Sequence, residues 1–285
     1  MRHALVFGGS GQIGVPLLDR LHDAGWRVTA VSRTPHHDQP GLHWLQGDLD
    51  HVDGLPRAVD AIFSCGPLDH FARWYAASKV DAVRVLAFGS TSIEVKRGSA
   101  DPEEREVAQR LRTGERGVFE TAAARGANAT LLRPTLVYGA GRDRTLTRIA
   151  TLAREWGRFV LPRNAHGLRQ PVHVDDLAAA AFAACDVVAT HGQAYALPGG
   201  ETLPYRDMVA RVLAVLEPPP QLIEVPSPLF TAALLGARAL GRIGGFGDAA
   251  VARMRSDLVF DMEPARRDFG YAPRQFRPTA AMFGS

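Results

Sequence analysis

The sequence predicts a doubly wound α/β fold, a parallel sheet covered by helices on both faces, with a smaller and mostly C-terminal lobe. Three observations predict it. Short apolar runs alternate with amphipathic runs along the first half of the chain. A glycine cluster joins the first apolar run to the first amphipathic one. The length, 285 residues, suits about two compact units rather than one.

In chain order, His3–Phe7 reads as an apolar strand and residues 15–24 as a helix. Residues 26–32 form a second strand that stops before Thr34-Pro35. Leu42–Gln46 gives a third, residues 61–65 a fourth and residues 83–88 a fifth. A helix is predicted from about Pro102 to Arg125, because Asp101 is a capping residue, Pro102 suits the first turn, and Glu103 and Glu104 suit the positive end of the helix dipole. Gly126 ends it, and residues 129–132 form a sixth strand. Beyond these lie helices at Leu146–Trp156, 175–187 and 205–216, with short strands at 159–161 and 170–173. An amphipathic helix at 228–242 ends at Gly244-Gly245. Right-handed crossovers set the order of such a sheet.

Composition excludes several classes. Hydrophobic residues make up 46% and charged residues 22%, which gives a globular chain with enough apolar surface for a core. The 33 basic and 30 acidic residues leave a net charge of +3, too mild for a nucleic-acid partner. Cys65 and Cys185 supply neither a disulfide framework nor a metal-type spacing, so no metal is expected. No apolar run approaches the ~20 residues of a membrane span. The first residues run directly into a strand, so no signal peptide is expected and the expected location is cytoplasmic. Lysines number only two, Lys79 and Lys96, which limits any mechanism that needs one.

The segment Gly8-Gly9-Ser10-Gly11-Gln12-Ile13-Gly14 lies between the first strand and the first helix. Glycines there permit a tight turn and close approach to a diphosphate, and the helix start directs its unpaired N–H groups at that anion. This context points to a Rossmann-type dinucleotide site built from Gly8, Ser10, Gly11, Gln12, Ile13 and Gly14. An NAD site wants a carboxylate at the end of the second strand, but residues 28–34 hold no Asp or Glu. Ser32 and Arg33 stand there instead and suit a 2′-phosphate, so NADP(H) is the expected cofactor. Asp48 and Leu49 close the third strand, where they suit the adenine ring. Cys65 and Gly66 close the fourth, where small residues admit the cofactor. Cys65 reads as a packing residue, since no base is positioned beside it.

Together these residues resemble the extended and atypical short-chain dehydrogenase/reductases, an NAD(P)-dependent epimerase/dehydratase-like family. The resemblance also rests on Gly47-Asp48-Leu49, Phe88-Gly89-Ser90-Thr91-Ser92, Leu132-Arg133-Pro134-Thr135-Leu136-Val137-Tyr138-Gly139 and Pro171-Val172-His173-Val174-Asp175-Asp176. The segments at 257–261 and 265–271 resemble its closing region. It implies that Pro134, Thr135 and Val137 lie beside the nicotinamide and that Thr91, with Ser90, orients the substrate oxygen. His173 reads as a structural histidine.

The family's base is a Tyr-x-x-x-Lys on the helix after the fifth strand, and here the 102–125 helix holds neither residue type. The expected places fall on Val107 and Leu111, or on Leu111 and Glu115. Glu94 and Glu115 are candidate replacements if burial makes one of them basic. The literal match, Tyr75-Ala76-Ala77-Ser78-Lys79, lies before the fifth strand and is expected to cover the sheet's outer edge or an interface. Lys96 is expected in a solvated loop. Arg142, Arg144 and Arg169 are candidates for an anionic substrate group.

The expected organisation is a nucleotide-binding domain of residues 1–140 and 170–195, with a substrate lobe of 141–169 and 196–285. Two functional readings follow. One is an atypical NADP(H)-dependent oxidoreductase or epimerase acting on a sugar or small carbonyl or hydroxyl compound. The other is a non-catalytic NADP(H)-binding regulator or accessory subunit. A small-molecule substrate is the expected partner, and pairing into a homodimer is compatible with the fold.

Overall fold

Seven strands build one parallel sheet, and apolar β-branched and aromatic side chains bury both of its faces. The computed structural model describes residues 1–143, 145–232 and 248–283. The strands are β1 (His3–Phe7), β2 (Arg27–Ser32), β3 (Leu42–Gln46), β4 (Ala58–Ser64), β5 (Asp81–Phe88), β6 (Asn128–Pro134) and β11 (Gln193–Leu197). Their order is β11-β6-β5-β4-β1-β2-β3. The direction of winding reverses between β1 and β4, which opens a crevice at the carboxyl ends of those two strands.

Contacts divide the chain into two units. The first holds Met1–Thr135, Val174–Pro198 and Asp261–Pro273. Helices α1 (Gly14–Asp23) and α6 (Val174–Cys185) pack together on one face of its sheet. Helices α2 (Leu68–Ala77) and α4 (Pro102–Ala124) cover the other, and a one-turn α3 (Ser92–Val95) follows β5. Asp101 caps α4 as expected, its carboxylate accepting from the Glu103 amide at 2.9 Å.

The sequence assigns 261–273 to the lobe, yet this segment docks on the first unit. Tyr271 Oη donates to the Pro198 carbonyl at 2.7 Å, and Tyr195 Oη on β11 donates to Asp268 at 2.7 Å. The Phe269 ring meets Tyr195 edge-on at 5.1 Å. Strand β11 itself is not anticipated from sequence; it pairs with β6 in register from Gln193↔Thr130 to Leu197↔Pro134.

The second unit holds Leu136–His173, Gly199–Phe260 and Arg274–Ser285 within the described residues. Its core gathers α5 (Leu146–Trp156) and α7 (Tyr205–Ala214) with Phe159, Leu161, Phe276 and Phe283. The expected 228–242 helix lies largely outside the described residues, as does Arg144.

One buried cation ties the first unit together. Arg84 on β5 is 5% exposed. Its guanidinium donates to the Cys185, Ala184 and Asn128 carbonyls and to the Thr130 and Thr190 hydroxyls, at 2.8–3.0 Å. The charge thus caps the carboxyl end of α6. Replacing Arg84 by Leu leaves these acceptors buried without donors. The expected loss is about 3 kcal/mol of unfolding free energy in urea titration. A loss under about 1 kcal/mol would show that the carbonyls find water instead.

Candidate functional site

The glycine loop sits at the carboxyl end of β1, beside the winding reversal. Gly8 adopts φ +72°, and a Cβ there would press on the Cys65 carbonyl carbon at 3.2 Å. A Cβ at Gly14 would overlap the Gly8 carbonyl oxygen and lie 2.6 Å from that of Gly9. Only glycine lets α1 start this close to its own strand. The N-cap, Ile13, offers no side-chain cap. The Gln12 amide carries a buried Oε1 with no hydrogen-bond partner.

A cavity of about 440 Å³ opens over this loop. Of the residues singled out from sequence, Gly8, Ser10, Gly11, Ser32, Arg33, Asp48, Leu49, Cys65 and Gly66 line it. Gln12, Ile13 and Gly14 belong to the same turn but are not among the residues that line the cavity. Pro134, Thr135 and Val137 do not line the cavity either. Pro134 ends β6, Thr135 donates its amide to Leu197 at 3.3 Å, and Val137 pairs with Val172 in a two-stranded ladder of the second unit. His70 and Asp50 also line the cavity and are missed from sequence; their side chains meet at 3.3 Å. The one available signal is that His70 falls in the first turn of α2, just after Pro67.

Strand β2 ends in hydroxyls and a cation. Ser32 is buried, and its Oγ meets Ser10 Oγ at 2.9 Å, Thr34 Oγ1 at 3.2 Å and His36 Nε2 at 3.2 Å. Arg33 is exposed and lines the cavity. Across from it, Asp48 Oδ1 accepts from the Asp50 and His51 amides at 2.9 Å each. Those two bonds, with smaller help from the His51 and Arg33 charges, hold its carboxyl below the usual range, so it stays anionic at neutral pH. Strand β4 stops at Ser64, one residue earlier than sequence suggests. Cys65 follows, bonded through its amide to the Phe7 carbonyl at 2.9 Å. Burial pushes its thiol up to about 12, which makes it a packing group rather than a nucleophile.

At the end of β5 the two hydroxyls differ. Thr91 donates both its amide (3.2 Å) and its Oγ1 (3.1 Å) to the Pro134 carbonyl. Ser90 Oγ accepts from the Ser92 amide at 3.1 Å and keeps its own proton for another acceptor. On α4, Val107, Leu111 and Glu115 follow one another at a four-residue spacing that puts them on one face. Glu115 is 5% exposed and bound by both Arg133 Nε (2.7 Å) and Nη2. Both carboxylate oxygens are thus engaged by the Arg133 guanidinium, and Glu115 does not line the cavity. Glu94 meets the same guanidinium at 3.3 Å. Lys96 is not a solvated loop cation; it is largely buried against Glu104 at 3.8 Å.

Two further expectations are corrected. Tyr75 does not cover an outer edge. It is 1% exposed inside the α2–α4 core, stacked on Phe71 at 5.8 Å, with Arg125 4.9 Å from its ring. Burial pushes its phenol up, and its hydroxyl has no partner. Arg169 is not an anion receptor. It is 4% exposed, its guanidinium donates to the Leu168, Ser256 and Arg253 carbonyls, and it stacks on Tyr205 at 5.2 Å. His173 packs its ring over Gly139 and edge-on to Tyr138 at 5.1 Å, as a structural histidine does. Arg142 is exposed.

A glycine turn, an uncapped helix start and a cavity at a winding reversal together are the features of a Rossmann-type α/β fold. Residues 4–93 and 108–197 match the profile of the NAD dependent epimerase/dehydratase family, and the chain belongs to that family. A 2-alkyl-3-oxoalkanoate reductase of Stenotrophomonas maltophilia (strain K279a) is 27% identical over 315 aligned positions, covering 95% of this chain and 94% of that protein. The epimerase Mth375 of Methanothermobacter thermautotrophicus shares the fold, with a TM-score of 0.70 and 16% identity over 97% of this chain and 89% of that one. So does MoeE5, solved with UDP-glucuronic acid and NAD, with a TM-score of 0.68 and 19% identity over 96% and 94% of the two chains. No described helix is long and apolar enough to cross a membrane, and no described cluster of His, Cys, Asp or Glu could hold a metal ion.

Two outcomes test these placements. Tyr75→Phe removes a buried unsatisfied hydroxyl. It should leave nucleotide affinity unchanged and raise stability by up to about 1 kcal/mol in denaturant titration; weaker nucleotide binding would return Tyr75 to the site. Alkylation of Cys65 by iodoacetamide at about pH 8 should run at least about 100-fold slower than for free cysteine. It should accelerate only as the pH climbs toward the raised thiol value, and a fast reaction at neutral pH contradicts the buried thiol.

Proposed function

We propose that the chain binds NADP(H) in the cavity above the glycine loop and acts as an atypical oxidoreductase on a small carbonyl or hydroxyl substrate. The observation that carries the cofactor choice is the end of β2, where Ser32 and Arg33 face the cavity and no carboxylate stands. A carboxylate there would accept from ribose hydroxyls and repel a 2′-phosphate, whereas a guanidinium attracts one.

The residues present fit such a ligand. Gly8, Gly11 and the α1 amides would hold the diphosphate, with a positive dipole end and no side chain in the way. The Gln12 amide would gain a partner from a ribose hydroxyl. Asp48 would accept from the adenine amino group through Oδ2, its Oδ1 being held by two amides. Bound NADP(H) supplies or removes a hydride at a carbon of the substrate. Ser90, with its uncommitted proton, would donate to the substrate oxygen, while Thr91 fixes the junction of β5 and β6 through Pro134. Pro134, Thr135 and Val137 would border the nicotinamide, as the family resemblance implies. The reductase relative acts, by its name, on a 2-alkyl-3-oxoalkanoate, so a 3-oxo acid is the first substrate class to offer.

One observation favours a second reading, a cofactor-binding regulator without turnover. The α4 positions where the family keeps its base carry Val107, Leu111 and an ion-paired Glu115.

The test is calorimetric titration with NADPH and NADH, followed by NADPH oxidation in the presence of 3-oxo acids, simple ketones and UDP-sugars. Wild type should prefer NADPH. Arg33→Asp should weaken NADPH by at least about 30-fold while changing NADH by less than about threefold. Equal affinities in wild type refute the NADP assignment. Tight NADPH binding with no turnover on any carbonyl selects the regulator.

A further inference from the structure

Beyond Arg33, the end of β2 carries a second basic group that neither the sequence pattern nor the family likeness assigns. His36 lies on the β2–β3 connection, and its Nε2 is 3.2 Å from both Ser32 Oγ and Thr34 Oγ1. Its ring stacks on Trp44 at 4.3 Å with an interplanar angle of 29°. Trp44 in turn lies against the glycine loop, since a Cβ at Gly9 would meet its ring at 3.2 Å. The imidazole is thus held at a fixed place by a stack and hydrogen bonds, although it remains exposed. Ser10, Ser32 and Thr34 hydroxyls join it in one chain, and Ser10, Ser32 and Arg33 line the cavity. Two hydroxyls, a guanidinium and an imidazole at the end of β2, with the Ser10 hydroxyl of the glycine loop, form a donor set matched to a phosphate monoester.

We infer that His36 is a second recognition residue for the 2′-phosphate, and that its protonation makes the preference for NADP(H) over NAD(H) depend on pH. The inference rests on the NADP reading of the same cavity. A protonated imidazole carries a positive charge that adds to that of Arg33. The carboxylates near this end do not mimic the effect, and His70, which lines the cavity beside Asp50, is the same in wild type and in a variant without the His36 imidazole. Asp48 stays anionic because two amides hold its carboxyl low. Asp38 is bound to His43 at 2.7 Å and to the Trp44 amide at 2.8 Å, and those bonds also keep its carboxyl low. His37 is exposed, with no hydrogen bond to the Ser32 chain among the described residues. The phosphate monoester takes up a proton in the same range, which weakens its own binding on acidification. Wild type and a variant without the imidazole therefore diverge as the pH falls.

The experiment is calorimetry with 2′,5′-ADP and 5′-AMP on wild type and His36→Gln, at about pH 6 and about pH 8. The 5′-AMP arm reports folding and the adenosine site without the 2′-phosphate. Wild type should prefer 2′,5′-ADP at both values. His36→Gln should lose about 10-fold of that preference at the lower pH and no more than about twofold at the higher, with 5′-AMP affinity unchanged within about twofold. If wild type prefers 2′,5′-ADP and His36→Gln keeps the whole preference at both values, the role of His36 is overturned while the NADP reading stands. If wild type shows no preference, the NADP reading fails and the role of His36 fails with it.

Discussion

The close passage of α1 past its own strand is the constraint on which the rest of the first unit depends. Gly14 brings the helix start against the Gly8 and Gly9 carbonyls at a distance no side chain tolerates. That contact sets the angle at which α1 crosses the sheet and packs on α6. It also aims the uncapped amides of α1 across the crevice between β1 and β4. A bulkier residue at Gly14 would move the helix start, and cavity geometry, dipole direction and packing would change together.

Several charged side chains of the unit are committed to partners. Arg84 closes the end of α6, Arg133 binds Glu115 and Glu94, and Lys96 is held by Glu104. Arg133, half-buried, thus bridges a buried carboxylate on α4 and an exposed one on α3. Arg33 differs, because it stands exposed at a cavity wall. Its charge acts on Asp48, yet no ion pair joins the two among the described residues. Attraction between the two is therefore not spent on a direct ion pair, and the guanidinium keeps its capacity for an incoming phosphate.

How much of this was legible in the sequence depended on whether the signal was local. The glycine turn, the Asp101 cap and the strands β1, β2, β3 and β5 follow from period and capping, which act within a few residues. Strand β11 was hidden because Gln193-Ala194-Tyr195-Ala196-Leu197 alternates small residues and closes the sheet only through pairing with β6, some sixty positions earlier. The docking of 261–273 was hidden for the same reason, since Tyr271 and Asp268 find partners on distant strands. Tyr75 and Arg169 show the limit of residue type as a guide. A tyrosine at the expected spacing to a lysine became core, and a candidate anion receptor became a clamp for backbone carbonyls. His36 carried no motif, and only the stack on Trp44 gives it a place.

The separation between nucleotide cavity and proton chemistry has a physical basis. A diphosphate cradle needs glycines, a helix end and a phosphate-matched cation, all supplied by backbone geometry within the first strand–helix–strand unit. A proton-transfer group needs a side chain whose pKa is tuned by neighbours, and α4 is where the family places it. Those demands fall on different elements, so substitution on α4 leaves the cradle intact. Here the α4 face offers Val107 and Leu111 and commits Glu115 to Arg133. The Glu115–Arg133 pair also packs against Gly89, just before Ser90 and Thr91, with Glu115 Oε1 at 3.2 Å from where a Gly89 Cβ would stand. It thereby fixes the backbone that presents those hydroxyls. Ionic contacts on α4 thus serve to position the β5 loop that presents Ser90 and Thr91.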